Sequence, residues 1–226
     1  MKRCPFFRRA ALVMATGAAL WVVQAVYGAA DFNQLSAAFT QRWGAGASAK
    51  FTAWQNMLQS VRGGSDTERL KKINDFFNRQ IRFGEDASVW NQPDYWATPI
   101  ETLGQGAGDC EDFAIAKYFS LKEVGVASEK LRLIYVRAKT GTTDAAQAHM
   151  VLAYYAQPDA EPLVLDNLIG DIRPASRRPD LVPVFSFNSE GVFSGISAKD
   201  SAPSAGTGRL SRWEDLLKRA RAEGFE

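Results

Sequence analysis

The order of the hydrophobic patterns most constrains what this chain can fold into. Residues 31–81 carry apolar side chains at helical spacing, and Ser65 with Glu68 forms a capping box within that part. A nearly continuous apolar segment then follows Cys110 and stops near Gly125, which predicts a buried helix. The first half of the chain is therefore expected to be mainly helical.

The second half carries a different pattern. Three segments rich in β-branched and aromatic residues follow the buried helix, and they read LRLIYVRA, AHMVLAYY and PLVLDNL. They predict neighbouring antiparallel strands joined by hairpin-like loops, and FSFNSEGVFSGI predicts a further hairpin. Helices followed by a sheet, with one helix buried between them, indicate an α+β fold.

Residues 84–108 separate the first helices from the buried one and show few periodic signals. Gly, Pro, Trp and Asp are frequent there, which predicts a long ordered loop. Gly104, Gly106 and Gly108 permit a close approach of the backbone to a neighbour or a turn with positive φ. A phosphate-binding loop is disfavoured, because no lysine follows these glycines and three carboxylates do.

The first thirty residues have the layout of a secretory signal peptide. A basic start, MKRCPFFRR, precedes the apolar run AALVMATGAALWVVQAV and the small residues YGAA, so cleavage is expected after Ala30. The alternative is an uncleaved membrane anchor, although the apolar run is near the lower length limit for a spanning helix. The signal-peptide interpretation predicts an exported protein.

The remaining residues, 31–226, are expected to form one domain with its core at about 51–188. Near the end, residues 200–208 predict a flexible linker, and residues 211–223 predict a short terminal helix with SRWE as its capping box.

Removal of the signal segment changes the charge balance. The whole chain has 27 basic and 25 acidic residues, and residues 1–30 contain four basic and no acidic ones. The mature protein therefore has 23 basic against 25 acidic residues and a net charge of −2. Nothing in that balance indicates a nucleic-acid partner.

Cysteine and histidine are the rarest reactive residues of the mature chain. Of the two cysteines, Cys4 leaves with the signal segment, so Cys110 is a lone thiol without an internal disulfide partner. The single histidine is His149. A thiol nucleophile needs a base such as an imidazole, and the imidazole needs a group that orients it. Asp166, in the apolar strand segment LVLDNL, is the candidate for that group.

Position supports this assignment. Asp109 can cap the buried helix with Asp112 as a capping-box partner, which places Cys110 in the first helical turn, where the helix dipole favours a thiolate. His149 begins an alternating segment whose residues 151, 153 and 155 share its face and are expected to pack toward the helix. The alternative is a core cysteine, an incidental histidine and a turn aspartate, because only geometry identifies a triad.

A resemblance to a known family narrows these options. The segment DYWATPIETLGQGAGDCEDFAIAKYFSLKEVG, followed by AHMVLAYY and PLVLDNL, resembles the bacterial transglutaminase-like cysteine proteinases and, within them, the periplasmic LapG group. The similarity extends from about Phe51 to Asn188. It implies a papain-like or transglutaminase-like fold with a Cys-His-Asp triad. In this chain Cys110 would be the nucleophile, His149 the base and Asp166 the orienting carboxylate.

The resemblance also implies a calcium site beside the nucleophile, at Asp109, Glu111 and Asp112. Three carboxylates so close together repel one another and offer hard oxygen ligands for Ca²⁺. A bound cation would offset their charge and favour the thiolate. The alternative is ordinary negative charge in the first turn of a helix. The backbone N–H of Cys110 is the natural oxyanion donor, with Gln105 or Trp96 as a possible side-chain donor.

Members of the group are exported, calcium-dependent endopeptidases. The resemblance implies a large repeat adhesin as substrate, cut in its N-terminal region between small residues, typically alanines, so that the adhesin is released and biofilm disperses. An inner-membrane receptor for cyclic di-GMP would hold the protease, and the nucleotide would bind the receptor. Two other functions stay open: a transglutaminase or amidase with the same triad, and a calcium-binding interaction module whose triad is idle.

Overall fold

The computed structural model describes residues 30–139, 145–194 and 207–225. The predicted signal segment and most of the predicted linker lie outside these residues. Within the part of the chain that is described, no helix is long and apolar enough to cross a membrane.

Three helices form the first layer: α1 at Phe32–Trp43, α2 at Ser48–Val61 and α3 at Asp66–Gln80. The capping box predicted at the start of α3 is present, with the side chains of Ser65 and Glu68 each bound to the other's backbone N–H. The apolar stripes of the three helices face inward and meet a common core.

The segment predicted as a long loop contains short regular elements instead. It holds helix α4 at Asp86–Val89, helix α5 at Pro99–Gln105 and strand β2 at Ala107–Gly108, and strand β1 at Arg82–Phe83 directly precedes it. Strands β1 and β2 pair in parallel. Elements this short complete too few turns to produce a visible hydrophobic period in the sequence.

The glycines of this segment have the predicted roles. Gly106 ends α5 with a φ of 66°. A Cβ on Gly104 would lie 2.2 Å from the Trp43 ring, and one on Gly108 would lie 2.4 Å from Oδ2 of Asp112. Gly108 therefore leaves the space into which that carboxylate fits.

Helix α6 occupies Cys110–Glu123 at the centre of the molecule. Ten consecutive residues, Asp112 to Leu121, are buried, because the helix packs against α3 and α5 on one side and the large sheet on the other. The chain leaves the helix through Gly125, whose φ is 89°. The predicted buried helix is thus confirmed.

A six-stranded antiparallel sheet forms the second layer. Its strands are β3 at Leu131–Lys139, β4 at Ala146–Tyr154, β5 at Leu163–Leu165, β6 at Arg173–Pro174, β7 at Leu181–Phe187 and β8 at Val192–Ser194. They lie in the order β6-β5-β4-β3-β7-β8. The predicted α+β fold, with a buried helix on an antiparallel sheet, is confirmed.

The two faces of β4 are the reverse of the prediction. Met150, Leu152 and Tyr154 join the helical core. Val151, Ala153 and Tyr155 belong to a second cluster with residues of β3 and β5 on the other face. The predicted alternation of residues between the two faces of β4 is confirmed. Both faces are apolar, however, so alternation alone does not say which one meets the helix.

The terminal helix α7 spans Thr207–Glu223. It begins before Ser211, so Ser211 lies inside the helix, and the predicted capping box at SRWE is wrong. Arg219 of α7 donates to the buried carboxylate of Glu101 in α5, and Arg42 of α1 pairs with the same carboxylate. These ion pairs fix the last helix against the first layer.

Candidate active site

The N-terminal end of α6 faces the start of β4 across a cleft of about 340 Å³. Cys110 lines it from the helix and His149 from the strand. Five carboxylate residues also line this cleft, and the described lining residues include no lysine or arginine. These acids are Glu85, Asp86, Asp94, Asp109 and Glu111. The cleft thus combines one thiol, one imidazole and a strongly negative wall.

The Cys110 thiol is partly exposed and donates to Oε2 of Glu111 at 2.9 Å. Burial and the charge of Glu111 raise the pKa of the thiol above its usual value, and the nearby N–H of Met150 offsets this only in part. The thiol therefore contacts the residue next to His149 in sequence, while its own hydrogen bond goes to the acidic side of the cleft.

His149 and Asp166 are brought together as the sequence predicted. Nε2 of His149 lies 2.8 Å from Oδ1 of Asp166, and both side chains are almost fully buried. Asp166 directly follows β5, the strand paired with β4, which explains why residues far apart in sequence meet here. Because Nε2 is engaged by the carboxylate, Nδ1 is the nitrogen left for the thiol.

Two further groups hold the Asp166 carboxylate. The N–H of Leu168 donates to Oδ1 at 3.1 Å, and Nη2 of Arg178 donates to Oδ2 at 2.7 Å. Burial alone would raise the pKa of Asp166, but the bonds to His149 and Arg178 and the Leu168 N–H lower it to about 2. The carboxylate therefore stays ionised at neutral pH and fixes the orientation of the imidazole.

Arg178 is a site residue that the sequence did not reveal. Its side chain is 1% exposed and also pairs with Asp180, through Nε and Nη2. It comes from the stretch between β6 and β7, which reaches Asp166 only through the fold. The sequence contains one signal for an ion pair, because RRPD places two arginines close to an aspartate, but pairs of opposite charge are common on protein surfaces.

The predicted capping role of the acids is wrong. Asp109 stands at the N-cap of α6, yet its side chain makes no capping hydrogen bond. The carboxylate of Asp112 lies beside Gly108, where it accepts from the N–H of Ala97 at 2.8 Å and from the indole of Trp90 at 3.3 Å. Both carboxylates serve contacts beyond their own helix.

The acids instead gather into one cluster that includes a residue not predicted from sequence. Asp86, Asp109 and Asp112 each offer an oxygen within 4.8 Å of the others, and Asp86, Asp94 and Glu111 form an overlapping group. Asp86 and Asp94 come from the loop region before α5, where no spacing linked them to the cysteine. We call Asp86, Asp94, Asp109, Glu111 and Asp112 the acid cluster.

Burial and mutual repulsion raise the pKa values of Asp86, Asp109 and Asp112. Burial raises the pKa of Asp86 to about 6, opposed by the Tyr95 N–H and supported by the charges of Glu111 and Asp94. Burial and the neighbouring carboxylates of Glu111, Asp112 and Asp86 raise the pKa of Asp109 to about 10. Burial likewise raises the pKa of Asp112 well above its usual range.

The cluster has the chemistry of a hard-cation site. One oxygen each of Asp86, Asp94 and Asp109 is buried without a hydrogen-bond partner among the described residues. Buried carboxylate oxygens left without donors are costly, and a Ca²⁺ ion takes several such oxygens at once. The residues present therefore fit a calcium ion, with Asp86 and Asp94 added to the three predicted positions.

Of the two side chains predicted as oxyanion donors, only one lines the cleft. Gln105 donates to the carbonyl of Val89 at 3.1 Å and does not line the cleft. Trp96 does line it, and its ring stacks on Phe187 with centroids 5.6 Å apart. The backbone N–H of Cys110, at the first position of α6, stays the natural oxyanion donor.

Comparison with known proteins defines the class. Residues 49–179 match the model of the bacterial transglutaminase-like cysteine proteinases. The chain belongs to this family and is a cysteine peptidase with a transglutaminase-like fold. The curated protein sequences that were compared include no match to the chain.

The solved structures give a more particular likeness. The chain is similar to Legionella pneumophila LapG, with 41% identity and a TM-score of 0.69, over 83% of this chain and 96% of that one. The calcium-bound LapG structure matches with 41% identity and a TM-score of 0.69 over 81% and 96%. The EGTA-treated structure matches with 40% identity and a TM-score of 0.70 over 83% and 96%.

Proposed function

We propose that this chain is a calcium-dependent periplasmic endopeptidase that cuts the N-terminal region of a large repeat adhesin. Cleavage between small residues, typically a pair of alanines, would release the adhesin from the cell surface and disperse biofilm. The observation that carries the proposal is the His149–Asp166 pair in the cleft of Cys110, in a chain 41% identical to LapG over most of its length.

The chain's own residues account for the acyl-transfer chemistry. His149 accepts the proton of Cys110 at Nδ1, while Asp166 on Nε2 stabilises the imidazolium that forms. The thiolate sulfur then attacks the scissile carbonyl carbon, and the N–H of Cys110 donates to the developing oxyanion. His149 passes its proton to the leaving amine, and a water molecule hydrolyses the thioester to free the enzyme.

The acid cluster would hold the calcium ion. Its positive charge would offset the carboxylates next to Cys110 and so favour the thiolate over the thiol. The raised pKa values of Asp86 and Asp109 and their unpartnered oxygens support this role. The existence of calcium-bound and EGTA-treated LapG structures adds support from a similar protein.

The cleft also suggests how a peptide is held. Phe83 and Leu168 both line it, and both are large apolar residues that are about half exposed, at 51% and 44%. Phe83 pairs with Gly108 in the strand just before Cys110, and Leu168 donates its N–H to Asp166, so an extended peptide in the cleft can contact both. The acidic lining disfavours acidic residues at the cut site, in accord with a substrate sequence of small neutral residues.

Regulation by a membrane receptor completes the proposal. An inner-membrane receptor for cyclic di-GMP would bind the protease when the nucleotide is abundant and keep it from the adhesin. Its support is the family resemblance. Pull-down with the full-length receptor in detergent, with and without cyclic di-GMP, is the measurement for this part.

The central experiment is a cleavage assay. The purified protein is incubated with an N-terminal adhesin fragment in Ca²⁺ or EGTA, and the products are identified by mass spectrometry. Two fragments whose masses together exceed the substrate by one water support peptide hydrolysis, whereas a cross-linked product would support a transglutaminase. Absence of any product in Ca²⁺, together with no alkylation of Cys110 by iodoacetamide near pH 7, would favour the interaction module.

A further inference from the structure

A short stretch of chain between α4 and α5, residues 94–97, contacts the acid cluster through its backbone. We call residues 94–97 the clamp segment. The N–H of Tyr95 donates to Oδ2 of Asp86. Two residues later, the N–H of Ala97 donates to Oδ1 of Asp112 at 2.8 Å. The positions of these two carboxylates therefore depend on where the clamp segment lies.

Helix α7 holds the same segment. Arg219 donates from Nη2 to the carbonyl of Trp96 at 2.6 Å and from Nη1 to the hydroxyl of Tyr95 at 3.1 Å. Arg212 pairs with Oδ2 of Asp94 at 2.8 Å, and Asp94 is itself a member of the acid cluster. The clamp segment is thus held between α7 and the acid cluster, and its Trp96 carbonyl lies between the two N–H groups that bind the acids.

The helix has anchors of its own in the core. Trp213, Leu216 and Ala220 are buried there, and the indole of Trp213 donates to the carbonyl of Asn188 at 3.1 Å. These contacts fix α7 without the clamp segment. The helix can therefore serve as a rigid support from which Arg219 holds that segment in place.

We propose that Arg219 is a positioning residue of the calcium site and acts through the clamp segment. Carboxylates that bind a metal are oriented by further hydrogen bonds, and loss of such an outer contact usually weakens metal affinity by about 10- to 100-fold. The role of Arg219 rests on the calcium site proposed above, and it makes the C-terminal helix a part of that site.

The charge of Arg219 makes the sign of the effect diagnostic. A positive side chain near an acid cluster repels a cation, so its removal would, by charge alone, strengthen calcium binding. Loss of positioning acts in the opposite direction, because Asp86, Asp94 and Asp112 are then no longer held where one ion can take an oxygen from each. Weaker calcium binding after removal of this positive charge is therefore evidence for positioning.

Calorimetric titration of Ca²⁺ into Arg219→Gln and Arg219→Lys tests the role, with circular dichroism to confirm that each variant is folded. Arg219→Gln should raise the Kd for Ca²⁺ about tenfold, and Arg219→Lys, which keeps the charge but loses the fork, about threefold. A merely structural role would lower the melting temperature in EGTA and leave the Kd of the folded protein unchanged. An unchanged or lower Kd in Arg219→Gln would overturn the role. If Arg219→Gln does not fold, the rise expected in Arg219→Lys decides in its place.

Arg221→Gln is the matched control. Arg221 is exposed on the same helix and carries the same charge, but it is not among the residues that line the cavity between α7 and the clamp segment. Its substitution should leave the Kd unchanged, and a rise equal to that of Arg219→Gln would overturn the specific role of Arg219. Absence of calcium heat with the unaltered protein would instead remove the calcium site itself, so the two failures are distinguishable.

Discussion

The two sides of the catalytic cleft differ in how completely their charges are satisfied by the chain itself. On the histidine side, Asp166 accepts from His149, Leu168 and Arg178, and its pKa is lowered to about 2. On the cysteine side, the acid cluster retains buried oxygens that find no partner in the described parts of the chain, and the pKa of Asp109 is raised to about 10. The described residues thus satisfy the charge on the histidine side, whereas those that line the cysteine side include no lysine or arginine.

This difference indicates that the two sides are assembled by different means. The base and its orienting carboxylate are preorganised by hydrogen bonds within the fold, as an efficient general base requires. The nucleophile shares its helix turn with carboxylates that oppose its ionisation, so we expect its activation to depend on the proposed calcium ion. The following predictions test that division.

The largest effect is expected from removing either half of the thiol–imidazole pair. Cys110→Ala and His149→Ala should each lower kcat by about 10⁴-fold or more, because the chain has no other histidine and its one other cysteine, Cys4, lies in the predicted signal segment. Residues that act as a unit are not additive, so the double variant should be little worse than either single one. Cleavage kinetics on an adhesin fragment, with circular dichroism to confirm folding, provide the measurement.

A folded Cys110→Ala protein that still cleaves would remove the thiol from the mechanism. Losses that multiply in the double variant would mean that the thiol and the imidazole act independently, which would contradict a shared catalytic role for the two sides of the cleft. Asp166→Asn should retain more activity than His149→Ala, since Asp166 orients the base and is not consumed.

The next effect separates the two sides directly. Chelation by EGTA should lower activity by about 10²-fold or more and reversibly, because the thiol then stays protonated beside Glu111. Asp86→Ala and Asp112→Ala should weaken calcium binding and activity together, with partial rescue by excess Ca²⁺ and poor rescue by Mg²⁺. Calorimetric titration paired with the cleavage assay measures both quantities.

Asp75→Ala is the control, since Asp75 lies in a surface ion pair with Lys71, outside the acid cluster. Full activity in EGTA, without heat of calcium binding to the unaltered protein, would leave the acid cluster without a cation. Unchanged calcium binding by Asp86→Ala would limit the site to the three positions that the sequence predicted.

The residues of the site differ in whether the sequence alone could identify them. Cys110, His149 and Asp166 were identifiable because each is rare or out of place in its segment, and the buried helix and strands have clear periods. Asp86 and Arg178 were not, because each joins the site only through a fold contact with residues distant in sequence. The faces of β4 were reversed for a related reason, since both are apolar and the choice depends on which one α6 covers.

A smaller effect is expected at Arg178, which completes the histidine side. Arg178→Lys keeps the charge but loses the fork that binds Asp166 and Asp180, so kcat should fall about tenfold. The pH profile gives the diagnostic reading. With Asp166 less firmly held, the loss of activity should differ between pH values, whereas a merely structural loss would lower activity equally at every pH. Lys218→Arg is an exposed control outside the cleft.

The dependence of stability on pH tests the acid cluster separately from the histidine side. A carboxylate whose pKa is raised on folding contributes stability below its unfolded pKa, near 3.8, and loses it as pH rises through the folded value. For Asp86 that value is about 6. Calcium should therefore raise the melting temperature more at pH 8 than at pH 5, by roughly 5 °C. Differential scanning fluorimetry in Ca²⁺ and EGTA measures this at both pH values.

The comparison of Ca²⁺ with EGTA at each pH cancels other titrations. Burial lowers the pKa of Lys117 to about 7, opposed by the charge of Asp166, and this group affects both conditions alike. An equal calcium effect at pH 5 and pH 8 would mean that protons and calcium do not compete for the acid cluster.

The smallest effect concerns the two exposed apolar residues at the edges of the cleft. Phe83 stands on the cysteine side and Leu168 on the histidine side, so Phe83→Ser and Leu168→Ser each remove one proposed substrate contact without touching the triad side chains. Each should raise KM about threefold to tenfold with little change in kcat, because contacts made equally in the ground and transition states affect binding alone. Val182→Ser is the matched control, since Val182 is 50% exposed and lies outside the cleft.

Equal KM effects from Phe83→Ser and Leu168→Ser would mean that the peptide spans both sides, and an effect from only one would confine substrate binding to that side. Unchanged KM in both would remove these residues from the substrate site.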